Sequence, residues 1–328
     1  MRKYRAIVAA VLATTPIVGV SAQPADAVVP AAAKTWSSLM YTAFNGSPEI
    51  VKLRAMLPDL RRTVITSKVA IGEAIISQSA AQASVTMATS ANLKARRAYA
   101  TASAARKAAK TSIERRRQLA AERQRSADLN RSVVTLRTAQ TRLRTATAKL
   151  AAANDAWHAA NVAVRNAEQK IAAFGGYDPD AAARAAQLAR QVVTDTRATF
   201  TIDDTTQVYG ITVNKTIAYA FQHMIDDAAK AGVPMSGGGF RTKEQQIKLR
   251  VTNGCPDIWT APASSCRVPT AIPGHSLHEI GLAVDLTYGG RAIPNHDSVA
   301  YQWLAANASR YGFENLPSEP WHWSITGN

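Results

Sequence analysis

The chain has 328 residues, length for about two domains, with 47% apolar residues, only 6% aromatics and a net charge of +16. Abundant Ala, Arg and Thr with sparse aromatics point to a long helical part beside a smaller globular part. A basic balance usually suggests nucleic acid, but the N-terminus described next argues against that partner.

Residues 1–27 read as an export leader. Arg2, Lys3 and Arg5 are followed by an apolar stretch from Ala6 to Ala22, and Ala25-Asp26-Ala27 supplies the small-x-small cleavage pattern. The apolar run is interrupted by Pro16 and Gly19 and is short of the roughly 20 residues of a spanning helix. The expectation is a secreted or wall-associated protein without a transmembrane helix in its mature form. Residues 28–58 read as an N-terminal helical segment.

Residues 59–175 read as a basic, Ala-rich coiled coil. No Gly or Pro interrupts residues 73–174, and Ala, Arg, Lys, Gln and Leu, all good helix formers, dominate there. Leu136, Leu143, Leu150, Trp157, Val164 and Ile171 recur at seven, each followed three residues later by Ala139, Ala146, Ala153, Ala160, Ala167 and Phe174. Ala88, Ala95, Ala102 and Ala109 repeat at seven as well. The polar run 126–132 predicts the bend of an antiparallel hairpin. Residues 52–175 hold 23 Lys and Arg against seven Asp and Glu, so the positive charge belongs to this segment. An exported basic surface of this kind seeks anionic wall polymers or lipid headgroups rather than nucleic acid. Gly175-Gly176-Tyr177-Asp178-Pro179 stops the helix, and residues 176–204 read as a connecting helix.

Residues 205–328 change character. Gly, Pro and aromatics return, and helical and extended patterns alternate as in an α+β domain. An amphipathic helix is predicted over 213–231, with Ile217, Phe221, Met224, Ile225 and Ala228 on one face. Thr242-x-x-Gln245 has capping-box spacing, and Asp297 is read as the cap of a later helix. Cys255 and Cys266, a single close pair in an exported chain, are expected to form a disulfide.

Two short motifs carry the chemistry. Ser276-x-His278 runs into Leu282-Ala283-Val284-Asp285-Leu286, where period-two alternation sets Asp285 opposite the apolar face. Glu319-Pro320-Trp321-His322-Trp323, if extended, turns His322 away from both tryptophans. Two histidines and one carboxylate are the donors of an open catalytic zinc site, and Glu319 beside them is a candidate base. His223, His275 and His296 are read as structural or solvated.

Ser-x-His-x6-Asp followed downstream by Glu-x-x-His resembles the signature of the D-alanyl-D-alanine metallopeptidases. That family includes VanY-type carboxypeptidases and VanX-type dipeptidases, and is related to lysostaphin-like and hedgehog-type zinc domains. The resemblance covers about the last 120 residues. It implies a small antiparallel sheet with flanking helices, Zn2+ held by His278, Asp285 and His322, and Glu319 as general base. It also implies that Arg241 stabilises the oxyanion, that Gln246 lies near the substrate, and that Ser276 helps hold a terminal carboxylate. The run Ser236-Gly237-Gly238-Gly239-Phe240-Arg241 departs from the family's Ser-Gly-Tyr-Arg, and Ser324-Ile325 from its Arg-Tyr. The implied reaction is hydrolysis of D-alanyl bonds in peptidoglycan stem peptides by a carboxypeptidase. The alternatives are a crosslink endopeptidase, or a coiled-coil wall factor whose zinc domain only recognises its ligand.

Overall fold

A computed structural model describes residues 29–328. The leader assigned to residues 1–27 lies outside the described residues. The first described helix, α1 (Ala31–Asn45), buries Ala33, Trp36, Met40 and Ala43, spaced three or four apart along one face. A second helix, α2 (Pro48–Ala108), starts at an N-cap, Ser47, with Pro48 in the first turn where its missing N–H costs nothing. It runs straight through Pro58, so the boundary expected at residue 58 is not one. A third, α3 (Ser112–Ala173), is followed by α4 (Pro179–Thr199).

The described residues divide into two units, residues 44–178 and a second that joins residues 29–43 to residues 179–328. Within the first, α2 and α3 lie side by side and antiparallel. Lys170 meets Glu49 at 2.5 Å, Arg61 meets Glu168 at 2.7 Å, Gln78 bonds Thr147 at 3.1 Å and Asn92 bonds Ser132 at 2.9 Å. The residue numbers run in opposite directions, as a hairpin requires. Ala139, Ala146, Ala160 and Ala167 of the heptad are buried, whereas the large heptad residues are half-buried along the seam edge.

The bend is not at 126–132, which is helical throughout. It lies at 109–111, where Thr111 and Glu114 form a reciprocal capping box and restart the chain as α3. Ser132 and Asp128 instead serve the helices: Ser132 accepts from Asn92 across the seam, and Asp128 pairs with Arg131 one turn on. Polar residues that cap a helix when free can also bond across a helix pair. Among the described residues, no helix is long and apolar enough to cross a membrane.

The second unit carries a two-stranded hairpin and a five-stranded sheet. Strands β1 (Thr205–Val208) and β2 (Ile211–Asn214) are joined by Tyr209 and Gly210, both at positive φ, the geometry of a tight two-residue turn. Helix α5 (Lys215–Lys230) buries Ile217, Phe221, Met224, Ile225 and Ala228, the face expected from the sequence. Strand β3 (Met235–Gly238) and helix α6 (Lys243–Thr252) follow, the helix opened by the Thr242–Gln245 capping box. Then come β4 (Ala283–Tyr288), β5 (Arg291–Ala292), α7 (Val299–Asn307), β6 (Glu314–Asn315) and β7 (His322–Ser324). Strand order is β3-β4-β7-β6, with β5 paired to β4, and all pairings are antiparallel. Helix α7 is capped by Ser298, whose side chain accepts from Tyr301 N, rather than by Asp297.

Helices α1 and α4 belong to this unit. Trp36 is fully buried, and its ring carbon Cζ2 lies 2.6 Å from where a Cβ on Gly312 would stand. Ser37 donates to the carbonyl of Thr216 at 2.8 Å. The domain is therefore larger than residues 205–328, because helices far upstream complete its core.

Candidate metal centre

The three proposed ligands are gathered by the sheet and one turn. Asp285 of β4 and His322 of β7 are direct partners in the antiparallel register, so their side chains rise from neighbouring strands on one face. Leu282, Val284 and Leu286 are all fully buried, which fixes the alternation that turns Asp285 into the cleft. His278 arrives from a 3-10 turn, His278–Ile280, ended by Gly281 at φ 67°. A Cβ on Gly281 would stand 2.7 Å from Asn214 N, so only glycine permits that turn to press against β2.

His278 Nε2, Asp285 Oδ1 and His322 Nδ1 form a triangle with sides of 3.2, 3.2 and 3.0 Å. Tetrahedral coordination at about 2.0–2.1 Å separates ligand atoms by about 3.3 Å, so the triangle has the dimensions of one face of such a site. His278 Nδ1 lies 2.7 Å from the carbonyl of Gly239. A carbonyl only accepts, so Nδ1 carries the proton and the Nε2 lone pair points at the other two donors. His322 Nε2 is buried without a hydrogen-bond partner, and the ring's polar contacts run through Nδ1 to the other two candidate ligands. Burial works against ionisation of Asp285, yet the His278 and His322 imidazoles beside it favour the carboxylate, outweigh the burial and hold the carboxyl well below the usual range. An ionised carboxylate and two imidazole nitrogens within 4.8 Å of one another fit a divalent metal ion.

The glycine run that departs from the family pattern has a packing reason. Gly239 passes so close to β2 that a Cβ there would lie 2.1 Å from the carbonyl of Thr212. Phe240 N donates to that same carbonyl at 2.7 Å. The approach places the Gly239 carbonyl where it can fix the His278 ring.

Around the cluster lies a cleft of about 410 Å³, whose walls include Arg241, Gln246, Ser276, Glu319 and Trp321. Trp321 is half-buried at this wall, whereas Trp323 is buried. Arg241 and Asp285 also border a second cleft of about 430 Å³ that includes Lys248. Glu319 sits on a turn, its carbonyl accepting from His322 N at 2.9 Å. Burial raises its carboxyl above the ordinary value, reinforced by the charge of Asp285 and opposed by His322, His278 and Arg241. Arg241 donates to Asp285 Oδ2 at 3.2 Å and to Gln246 Oε1 at 2.9 Å. Gln246, 1% exposed, donates in turn to the carbonyl of Ala271 at 2.8 Å. Gln246 thereby braces Arg241. Ser276 lines the cleft, and its Oγ accepts from His278 N at 3.3 Å.

Three bracing residues escape a reading of the sequence. Glu279 accepts from Gly274 N at 2.8 Å and from Ser276 N at 3.2 Å, locking the turn that carries His278. Its spacing from Ser276 is that of a capping box, a signal present in the sequence. Arg197 of α4 donates to the carbonyls of Gly274 and, at 3.1 Å, His275. Arg250, fully buried, donates to the carbonyls of Thr270, Asp257 and Ala261 at 2.5–2.7 Å. It organises the loop that the Cys255–Cys266 disulfide closes. His275, next to the motif, is exposed and outside the ligand cluster.

Residues 210–328 match the family described as VanY, D-alanyl-D-alanine carboxypeptidase. A D-alanyl-D-alanine carboxypeptidase of Enterococcus faecalis (strain ATCC 700802 / V583) is 31% identical over 123 residues, which is 32% of this chain and 45% of the relative. The chain thus spans less than half the length of the curated relative it matches. The solved structure of a vancomycin-resistance D,D-pentapeptidase VanY mutant with Zn(II) is 25% identical, covering 40% of this chain and 82% of that one, with a TM-score of 0.31. These matches support a VanY-type metallopeptidase domain at the C-terminal end of the chain.

Proposed function

We propose that the chain is a zinc carboxypeptidase that removes the terminal D-alanine from peptidoglycan stem peptides. The observation that carries this reading is one cleft in which a three-donor metal cluster, a carboxyl with a raised pKa and a guanidinium face the same space. His278, Asp285 and His322 would hold the zinc, which supplies Lewis-acid polarisation of a carbonyl and a lowered pKa for a water molecule.

The remaining steps belong to the protein's own side chains. Glu319, buried enough to hold a proton more readily than an ordinary carboxyl, accepts one from the attacking water and returns it to the leaving amine. Arg241, held by Gln246 and Asp285, offers its guanidinium to the charge that develops on the scissile carbonyl oxygen. Ser276 stands at the cleft wall, where its hydroxyl can meet the substrate's terminal carboxylate. The reading places the protein outside the cytoplasmic membrane, and the Cys255–Cys266 disulfide supports an oxidising compartment.

The test is incubation of the zinc-loaded full chain with a stem pentapeptide ending in D-alanyl-D-alanine. Free D-alanine is measured with and without chelator, and crosslinked dimers are run in parallel to detect endopeptidase action. Release that chelator stops and Glu319→Gln lowers by about 10²–10⁴-fold, with zinc still bound, is the expected result. A zinc-loaded protein that releases nothing from either substrate overturns the reading.

A further inference from the structure

The cations of the helical hairpin are concentrated at one end. In residues 77–149, the half of α2 and α3 next to their joining turn, 16 Lys and Arg stand against three Asp and Glu. The open half, residues 44–76 and 150–178, holds seven against six. All three acids of the turn half are engaged within the hairpin. Glu114 closes the capping box, Glu122 pairs with Arg106, and Asp128 pairs with Arg131 and, at 3.4 Å, Arg125.

The fold does not need this excess. The seam is built from Ala88, Ala139 and Ala146 with the neutral Asn92–Ser132 bond, and the cross-helix ion pairs of the open half run between balanced charges. Crowding like charges into one half of a rod opposes its stability, so the concentration calls for an external polyanion.

The turn half also offers hollows that suit such a ligand. Arg106, Arg115 and Arg116 line a cleft of about 190 Å³ beside the turn. A groove of about 400 Å³ between the helices is lined by Ser84, Thr141, Thr145, Arg142 and Lys149 among alanines. Guanidinium groups and hydroxyls are the donors that phosphate oxygens and a hydroxyl-bearing backbone accept from.

Two features separate the possible polyanions. Tyr99 is the single aromatic residue in 77–149, so there is no platform on which nucleic-acid bases stack. The exposed apolar side chains Met87, Leu93, Ile113 and Val134 are dispersed along the rod, not gathered into the continuous face that lies in a lipid surface. The cations instead run from Lys94 to the turn along about 21 Å of α2 and from Arg115 to Lys149 along about 51 Å of α3, an extended track suited to a linear chain.

We propose that residues 77–149 are the docking surface for a linear phosphodiester polymer without bases, a polyol phosphate chain of the kind that binds through charge and hydroxyls. This interaction is independent of the peptidase chemistry.

The test uses the full chain and purified poly(glycerol phosphate) immobilised on a sensor. Binding should weaken by about tenfold or more between about 50 and 200 mM salt, as release of bound counterions requires. The triple variant Arg115→Gln, Arg116→Gln, Arg142→Gln should lose about tenfold, while Lys52→Gln, Arg62→Gln, Lys68→Gln, equal in charge removed, should lose less than about twofold. Far-UV circular dichroism checks that the helices persist. If the first triple unfolds, the exposed pair Arg117→Gln, Arg144→Gln replaces it, with a loss of about threefold or more expected. Equal losses from both halves, salt-independent binding or no binding at low salt overturns the proposal. So does tighter binding to single-stranded DNA of matched charge or to phosphatidylglycerol vesicles.

Discussion

Trp36→Ala is the perturbation that most directly tests whether an upstream helix completes the C-terminal domain. Trp36 is fully buried on α1, against the turn at Gly312, with Met40 beside it. Truncating a buried Trp to Ala costs about 3–5 kcal/mol when the cavity cannot collapse. One contribution runs the other way. The indole Nε1 is buried without a hydrogen-bond partner, and removing an unsatisfied donor returns about 1–3 kcal/mol. Packing wins, because the ring fills the space left by a glycine and the removed volume is large. The net loss is centred near about 2 kcal/mol, or about 4–8 °C in the melting of a unit of this size. Gly312→Ala attacks the same contact from the other side, adding left-handed strain at φ 75° to the clash with the ring. In the Trp36→Ala background the clash is gone and only the strain remains, about 1–2 kcal/mol, so the two changes are not additive. Near-UV circular dichroism and D-alanine release, followed against temperature, report this unit, while far-UV ellipticity is dominated by the hairpin. A Trp36→Ala protein whose near-UV transition moves by less than 1 °C, or a strictly additive double variant, would refute the assignment of α1 to the domain core.

Other outcomes follow from the site. Asp285→Asn removes the charged donor while keeping the strand pairing, so zinc affinity should fall by at least tenfold with little change in fold, measured by competition with a chromogenic chelator; unchanged affinity would remove Asp285 from the ligand set. In metal-free protein the Glu319 carboxyl should titrate above ordinary glutamate. Added zinc should lower that pKa, because a cation favours the ionised form; an upward shift in the carbonyl NMR signal's titration would contradict the site's electrostatics. Arg197→Ala should loosen the Gly274–His275 turn, lowering zinc affinity and raising KM together, with Arg197→Lys restoring part of each. Equal behaviour of the Ala and wild-type proteins in both measurements would make Arg197 a surface residue without a positioning role.

How much of this the chain announces locally differs from element to element. The alternation Leu282-Ala283-Val284-Asp285-Leu286 specifies which side chains face inward, because a strand has a period of two and one face must be buried. Thr242-x-x-Gln245 opens α6 because capping joins atoms within one turn. Hence the candidate donors His278, Asp285 and His322, the candidate base Glu319 and an α+β pattern can be picked out from residue types and spacing, while their assignment to one zinc site and the small antiparallel sheet are what the family resemblance implies. Other features depend on partners that local spacing does not reveal. The hairpin bends at 109–111 rather than at 126–132, since Ser132 finds Asn92 forty residues away and no longer needs to cap. Gly239 is required by the carbonyl of Thr212, Arg197 matters through carbonyls 77 and 78 residues on, and Trp36 has its complement in Gly312. The sequence by itself determined which side chains could act as metal donors or as a base, because that capacity belongs to the residue type and its local motif. The tertiary structure alone decided what holds those side chains still, because bracing contacts and close packing exist only once distant segments are brought within reach of a hydrogen bond.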